Sequence, residues 1–361
     1  AAFYDMGGHR ERVPQLDPEA CTGCSRCWTS CPDSALAAVA LPTQALLEAA
    51  AERAAEADAG PTDPAWSVLR RSLRQVATRI DGQLAESSAK ALTQALLRDA
   101  CEWVLQRLKV DGDEEQSRQS LRELFSVLAD QVDLLKPVAT APLFHEAHGQ
   151  QKGSGQLVLL AVSPQACQGC GVCGAVCPEG ALGQVAQTAT RLDTMRHAWR
   201  MWETLPDTTG ATIASAAADP RVGHLGAILM SRYSLTSVTG GDGAEPGSGA
   251  RLAVRQMAAV IEYDKQRRWM AFAAQLEELT QQLRSDVTDA LSGKLAAGDL
   301  GAVNEALLQG DGASVSLAQV LTRLEAGGGT SGGVDVSHVR ALAEAATHVE
   351  GLHQRLLQAA G

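Results

Sequence analysis

Eight of the nine cysteines in this chain lie in two short runs that have the same spacing. The first run reads CTGCSRCWTSCP from Cys21, and the second reads CQGCGVCGAVCP from Cys167. Both runs follow the pattern C-x2-C-x2-C-x3-C-P. In a chain of 361 residues, such tight clustering predicts metal ligation in a reducing compartment rather than a framework of disulfides.

The spacing of each run is typical of the bacterial sequences that bind a cubane [4Fe-4S] cluster. Three thiolates two residues apart wrap a tight loop around one face of the cubane, and small residues such as Gly23, Gly169 and Gly171 permit the turn. The fourth cysteine lies further along the chain, and the proline after it directs the backbone away. Two runs therefore predict two [4Fe-4S] clusters, which transfer one electron at a time at low potential.

The fourth cysteine of each run is predicted to bind the cluster of the other run, as it does in two-cluster ferredoxins. One cluster would then have the ligands Cys21, Cys24, Cys27 and Cys177. The other cluster would have the ligands Cys167, Cys170, Cys173 and Cys31. This crosswise assignment requires the long segment between Cys31 and Cys167 to leave and re-enter one compact core.

Zinc is the alternative occupant of these sites, because paired C-x2-C sequences also bind Zn2+. Zinc sites rarely contain the rest of this pattern, in which a third cysteine follows the C-x2-C pair after two residues and a Cys-Pro pair follows after three more. The two complete copies of the pattern therefore favour iron and sulfide over zinc.

The chain outside the cysteine runs is expected to be mostly helical. Apolar residues recur at helical spacing over residues 43–57, 64–80, 87–109 and 114–135, so a helical bundle is predicted between the runs. Cys101 shares one helical face with Leu97 and Val104, and is expected to be a buried small hydrophobic residue rather than a metal ligand. The sequence LVLLAV over residues 157–162 predicts a strand that leads into the second run.

The predicted fold class is mostly α with a small α+β part. It combines a bacterial 2[4Fe-4S] ferredoxin-like domain, a helical-bundle insertion and a helical C-terminal region. The ferredoxin-like domain is expected over residues 1–40 and 156–190, with the insertion over residues 41–155. Residues 191–250 are expected to form an irregular connector with a Gly-rich loop, and residues 251–361 the helical C-terminal region. Within the connector, Trp199 and Trp202 predict aromatic packing, with a docking patch for another subunit as the alternative.

Charge and hydropathy exclude two classes of partner. The formal net charge is −11 and no basic run offsets it, so a nucleic-acid partner is not expected. The longest apolar stretches are far shorter than the roughly 20 residues that span a bilayer, so no membrane span is predicted. The N-terminal sequence AAFYDMGGHRER lacks the apolar segment of a secretory signal, and the cytoplasm is the expected location.

Several segments, taken in order, resemble the iron-sulfur region of the 2-oxoacid:ferredoxin oxidoreductases, the pyruvate:ferredoxin oxidoreductase family. These segments are the paired cysteine runs, CPEGAL at the end of the second run, WRMWETLPD and SLTSVTGGDGAEPGSG. The resemblance implies an electron-transfer subunit or fragment that relays electrons between a thiamine diphosphate site and external ferredoxin. It places thiamine diphosphate, Mg2+ and coenzyme A on a catalytic partner subunit rather than on this chain.

The sequence departs from that family in two places. The family often has a C-x-G-C-G-E segment whose two cysteines hold a third cluster, whereas this chain has Glu245, Ser248 and Ala250 there. The GGDG segment resembles the start of a thiamine diphosphate motif in which Asp242 would coordinate Mg2+, but the downstream Asn of that motif is missing. Neither a third cluster nor a complete thiamine site is therefore expected in this chain.

Two other functions remain open from the sequence. The first alternative is the iron-sulfur electron-transfer subunit of a flavin- or NAD(P)-linked oxidoreductase, and the identity of a co-purifying subunit would distinguish the two. The chain would also fit a structural iron-sulfur adaptor, in which the clusters only stabilise the fold.

Overall fold

Four short β-strands frame the two cysteine runs in this computed structural model. Strands β1 (Arg12–Leu16) and β2 (Leu36–Leu41) flank the first run, and strands β3 (Leu157–Val162) and β4 (Leu182–Ala186) flank the second. Antiparallel pairing joins β1 to β4 and β2 to β3, so the two runs meet although the long insertion separates them in the chain. The structure describes residues 5–57, 64–108, 114–236, 245–291 and 336–360.

The β2–β3 ribbon is buried on both faces, which explains why both strands are continuous apolar runs in the sequence. Side chains alternate along a strand, so the pair Val39 and Leu159 packs into one core while the neighbouring pair Ala38 and Leu160 packs into another. The first core belongs mainly to the helical insertion, and the second contains cysteines of both runs. The ribbon therefore connects the packing of the insertion to the cysteine loops.

The insertion contains four main helices around a core rich in leucine and alanine. They are α2 (Thr43–Ala57), α3 (Pro64–Ser87), α4 (Gln94–Leu105) and α5 (Glu114–Asp133). A π-helical turn (Ala141–His145) and a short helix, α6 (Glu146–Gln150), then return the chain to β3. Two further short helices, α1 (Arg26–Thr29) and α7 (Val172–Ala175), lie inside the two cysteine runs.

Four predicted helix boundaries in the insertion are wrong. Helix α3 continues to Ser87, past its predicted end at residue 80, and α4 begins at Gln94 rather than at residue 87. Ser88 has a φ of 52°, which ends α3, and Ala91 forms a β-bridge with Val138 before α4 begins. Helix α4 also ends at Leu105, four residues before its predicted end at residue 109, and α5 ends at Asp133 rather than at residue 135.

Residues 191–236 are largely helical, so the prediction of an irregular connector is wrong for this part of the chain. The helices are α8 (Ala189–Thr204), α9 (Gly210–Ala218), α10 (His224–Ile228) and α11 (Arg232–Thr236). The polar residues that predicted irregular structure instead cap these helices: the hydroxyl groups of Thr188 and Thr209 each accept a hydrogen bond from a first-turn N–H at 3.2 Å. The Gly-rich segment at residues 240–243 lies outside the described residues.

Two long helices make up the described C-terminal region, α12 (Gly249–Leu291) and α13 (Val336–Ala360). The chain divides into two compact units, Ala1–Tyr263 and Asp264–Gly361. Within the second unit, an ion pair of 2.8 Å joins Arg284 to Glu350, and buried residues such as Leu276 and Val339 form the packed face. The mostly helical fold with a small sheet part is confirmed, whereas the predicted domain boundaries stay predictions. None of the helices in the described ranges is long and apolar enough to span a membrane.

Candidate metal centre

Two cavities in the first compact unit are each lined by four cysteines. The first cavity is lined by Cys21, Cys24, Cys27 and Cys177. The second cavity is lined by Cys31, Cys167, Cys170 and Cys173. Each cavity therefore has three cysteines from one run and the fourth cysteine from the other run. These are the same two groups that the sequence analysis predicts as ligand sets.

Strand pairing places the fourth cysteine of each run beside the other run. Cys31 lies shortly before β2, whose partner β3 leads into the second run, and the N–H of Ser163 donates to the carbonyl of Ala35 at 2.7 Å. Next to the other pair of strands, the N–H of Asp17 donates to the carbonyl of Ala181 at 2.8 Å. Because the pairing register of an antiparallel sheet is set along the whole strand, the crossing follows from the sheets rather than from the loops alone.

Both cysteine runs have the same backbone conformation. Gly23 and Gly169, which precede the second cysteine of each run, have φ angles of 70° and 69°, and Ser25 and Gly171, which follow it, have 66° and 78°. A Cβ atom on Gly169 would lie 2.7 Å from the carbonyl oxygen of Arg12, so only glycine fits where this loop approaches the start of β1. The repeated left-handed residues curl each run around its cavity.

Ionisation of the thiols in the second cavity is unfavourable, because they are buried and lie close to one another. Burial is the main cause that raises the pKa of Cys167 to about 11 and that of Cys173 to about 12, and the neighbouring Cys31 and Cys170 add to both shifts. A backbone hydrogen bond from Gly169 lowers the pKa of Cys167 and so acts in the opposite direction. Four thiolates in a buried cavity repel one another, and cations between them relieve that repulsion.

Burial is also the main influence on the thiols of the first cavity. Burial raises the pKa of Cys21 and raises that of Cys27 well above its usual value. The charge of Cys177, from the other run, adds to the shift at Cys21, while a backbone hydrogen bond from Gly23 lowers it. Both cavities thus offer buried sulfur ligands and N–H donors, which are the groups that bind iron-sulfur clusters.

The spacing of the thiols around each cavity fits a cluster of atoms better than a single ion. A tetrahedral zinc site draws its four sulfur ligands to about 2.3 Å from the metal. In the described part of the chain, no group of three or more His, Cys, Asp or Glu side chains is placed to hold one ion. A cubane places four iron and four sulfide atoms between the thiolates, so four cysteines that surround a cavity without converging on one point fit a [4Fe-4S] cluster.

Two buried arginines hold the ligand loops of the second cavity. Nη1 of Arg255, in α12, donates to the carbonyl oxygen of Cys31 at 2.6 Å, and Nη1 of Arg10 donates to the carbonyl oxygen of Cys167. Burial lowers the pKa of both arginines, and the charges of the same two cysteines oppose that shift. Sequence analysis missed both residues because 224 and 157 positions, respectively, separate them from these cysteines.

Other residues singled out in the sequence pack in the core of the insertion. Cys101 is buried there, which confirms its prediction as a small hydrophobic residue, and burial raises its pKa to about 12. Trp202 is also buried in this core, and its ring stacks on that of Trp199 with the centroids 4.8 Å apart, which favours packing over docking. Asp242, the predicted remnant of a thiamine motif, lies outside the described residues.

Comparison with known proteins identifies one domain. Residues 14–37 match the 4Fe-4S binding domain family, and the matched segment contains the whole first cysteine run. A search of curated proteins found no match. The chain is therefore an iron-sulfur protein with a [4Fe-4S] binding domain, which supports a role in electron transfer.

Proposed function

We propose that the chain holds two [4Fe-4S] clusters, one in each cavity, and relays single electrons through them. Cys21, Cys24, Cys27 and Cys177 would hold one cluster, and Cys31, Cys167, Cys170 and Cys173 the other. The crosswise grouping of eight thiols around two cavities in one core is the observation that carries this proposal. Each cluster, when bound, supplies a one-electron redox couple.

The two cavities lie along the same two strands, which favours transfer between them. On β1, Pro14 lines the second cavity and Leu16 lines the first; on β3, Val162 lines the second and Leu160 the first. Residues two apart on a strand point to the same side and lie about 7 Å apart. The cavities are therefore neighbours along one face of the sheets, so an electron crosses only a short apolar wall between them.

The chain's own residues would bind the clusters, limit water access and leave one ligand open to the surface. Cys21, Cys27 and Cys167 are buried, whereas Cys170 is exposed. An exposed ligand at the rim of the second cavity gives a soluble carrier a place to exchange electrons. The buried ligands protect the clusters and hold their potential low, because burial disfavours added negative charge.

The partners are proposed from the resemblance to the 2-oxoacid:ferredoxin oxidoreductases. A catalytic subunit with thiamine diphosphate, Mg2+ and coenzyme A would exchange electrons with one cluster, and ferredoxin or a similar carrier with the other. We place this exchange in the reducing environment of the cytoplasm, where free thiols and low-potential clusters persist.

Anaerobic isolation followed by metal and sulfide analysis tests the proposal. We expect about eight iron and eight sulfide per chain, and EPR signals of two clusters after reduction with dithionite. Cys24→Ala should remove one of these signals, whereas Cys101→Ala, in the core of the insertion, should retain both. Zinc in place of iron and sulfide, or cluster content unaffected by Cys24→Ala, would refute the proposal. Full assembly without electron transfer to ferredoxin would favour the structural adaptor.

A further inference from the structure

The charges behind the second cavity are predominantly positive. Arg255 is 0% exposed and donates to the carbonyl oxygens of Trp28 at 2.9 Å and Cys31 at 2.6 Å, and to the hydroxyl of Ser34 at 2.6 Å. These bonds place its guanidinium group against the backbone of the segment that ends at a ligand of the second cavity. Because no water surrounds this charge, the bulk solvent screens it little.

A second buried guanidinium group contacts the other ligand segment of this cavity. Arg10 is 8% exposed, and its Nη2 donates to the carbonyl oxygen of Pro164 at 2.7 Å while its Nε donates to Gln187 Oε1 at 2.8 Å. Its Nη1 donates to the carbonyl oxygen of Cys167. The two arginines therefore contact ligand segments from both cysteine runs at the same cavity.

The negative charge at the second cavity is smaller than the positive charge. Asp33 lines the cavity and is 2% exposed, but its Oδ1 lies 3.1 Å from Nε of Arg251 and accepts a hydrogen bond from Gln168 at 3.1 Å. Arg251 is thus the nearest counter-charge of Asp33, which attracts Arg255 as well, so that this cavity has one buried carboxylate for three arginines. Asp5 attracts Arg10 as well, but from an exposed position where water screens its charge. The two remaining buried arginines leave an excess of positive charge.

The backbone adds a further positive contribution at the second cavity. A Cβ on Gly247 would lie 3.8 Å from Cβ of Cys170, so the segment that leads into α12 passes over this ligand. Helix α12 begins two residues later, at Gly249. The N-terminal end of a helix carries partial positive charge, and here it lies near the rim of the cavity.

The first cavity is influenced less by these charges. Arg255 reaches it at the carbonyl oxygen of Trp28, which lines it, but the charge of Arg255 acts on the thiol of Cys31 in the second cavity, and Arg10 bonds to none of the residues that line the first. Glu179 is the one charged residue among those that line it, and its side chain is exposed to water. Arg26 lies between two ligands of this cavity in sequence, but it is exposed as well. The electrostatic potential at the first cavity is therefore less positive than the potential at the second.

We infer that Arg10 and Arg255 raise the reduction potential of the cluster held in the second cavity above that of the cluster in the first. This inference rests on the proposed function. An electron supplied by a one-electron donor to the first cavity would then move to the second. The cluster in the first cavity would lose one electron, the cluster in the second would gain it, and no proton would be needed. The electron collects beside the exposed Cys170, where a soluble carrier removes it.

Anaerobic potentiometric titration monitored by EPR tests the inference on the full chain. Single-ligand variants, Cys24→Ala for the first cavity and Cys170→Ala for the second, assign each signal to its cavity. In the unmodified protein we expect the signal of the second cavity to form first as the potential is lowered. If the signal of the first cavity forms before that of the second, the inference is overturned, independently of the results for the arginine variants.

Charge-changing variants then identify the cause. We expect Arg255→Gln and Arg10→Gln each to shift the electron distribution between the cavities at least tenfold toward the first, which is about 59 mV for a one-electron couple. Arg255→Lys should retain most of the original distribution because it keeps the charge. Arg221→Gln, at an exposed arginine paired with Glu146 and Asp219, should change nothing.

Two results would separate the possible failures. Equal shifts of both signals in the Gln variants, or the same shift in Arg255→Lys as in Arg255→Gln, would show that the arginines act through the fold rather than through their charge. Absence of iron, sulfide and EPR signals in the unmodified protein would instead refute the proposed function on which the inference rests.

Discussion

Substitution of Gly169 by alanine should destabilise the second cysteine loop more than the same substitution at Gly171. Both residues have positive φ, 69° and 78°, so both alanine variants adopt a left-handed backbone. Only at Gly169 does the new methyl group meet other atoms: its Cβ would lie 2.7 Å from the carbonyl oxygen of Arg12 and 2.9 Å from Cβ of Arg10. At Gly171, no atom lies within 4 Å of the added Cβ.

The two energetic contributions can be estimated separately. The left-handed conformation costs an alanine about 1–2 kcal/mol, and this applies to both variants. Overpacking of a tight contact costs about 1–3 kcal/mol more, because the loop or β1 must shift to make room, and this applies only at Gly169. We therefore expect Gly169→Ala to lower the free energy of unfolding by about 1–3 kcal/mol more than Gly171→Ala does.

Guanidinium chloride denaturation of both variants under anaerobic conditions, followed by far-UV circular dichroism, measures this difference. Equal slopes of the transitions allow the midpoints to be compared as stabilities. Iron content gives an independent reading, because a displaced loop should also lose iron during purification. Equal midpoints and equal iron content for the two variants would refute the argument that the approach of the loop to β1 requires glycine.

Three further predictions test the ligand sets, the packing of the first run and a half-buried carboxylate. Cys31→Ala should remove the EPR signal of the second cavity and Cys177→Ala that of the first; the reverse assignment would show that each run binds its own cluster. Trp28→Phe should lower the free energy of unfolding by about 1–3 kcal/mol, measured by chemical denaturation, because the indole N–H donates at 2.9 Å to the carbonyl of Gly226 in the core; an unchanged midpoint would contradict this. Burial raises the pKa of Asp81, so its folded form retains a proton that the unfolded chain loses near pH 3.9, and stability should fall as pH rises from there through the raised pKa. Asp81→Asn should abolish that fall in denaturation curves measured across pH, and an unchanged pH profile would show that this carboxylate does not cause it.

Local features of the sequence predicted much of the candidate site. The spacing within each cysteine run indicates a [4Fe-4S] site because the ligands of one loop lie within a few residues of one another, and residues 14–37 match a family with this function. Helical periodicity likewise predicted the insertion, where α2 has the predicted bounds 43–57. Helix ends were predicted less well: a single left-handed residue, Ser88, ends α3, and no periodic pattern marks that position.

The sequence by itself determined the chemistry of the ligands and the mostly helical class, since both depend on residues that are near one another in the chain. Tertiary structure alone decided what surrounds those ligands. Sheet pairing brings the two runs together, and the fold places Arg255 and Arg10 against the carbonyl oxygens of two ligands of the second cavity, 224 and 157 positions from those cysteines. The two runs are nearly identical in pattern, so the difference in charge between the cavities arises from long-range contacts that no local spacing encodes.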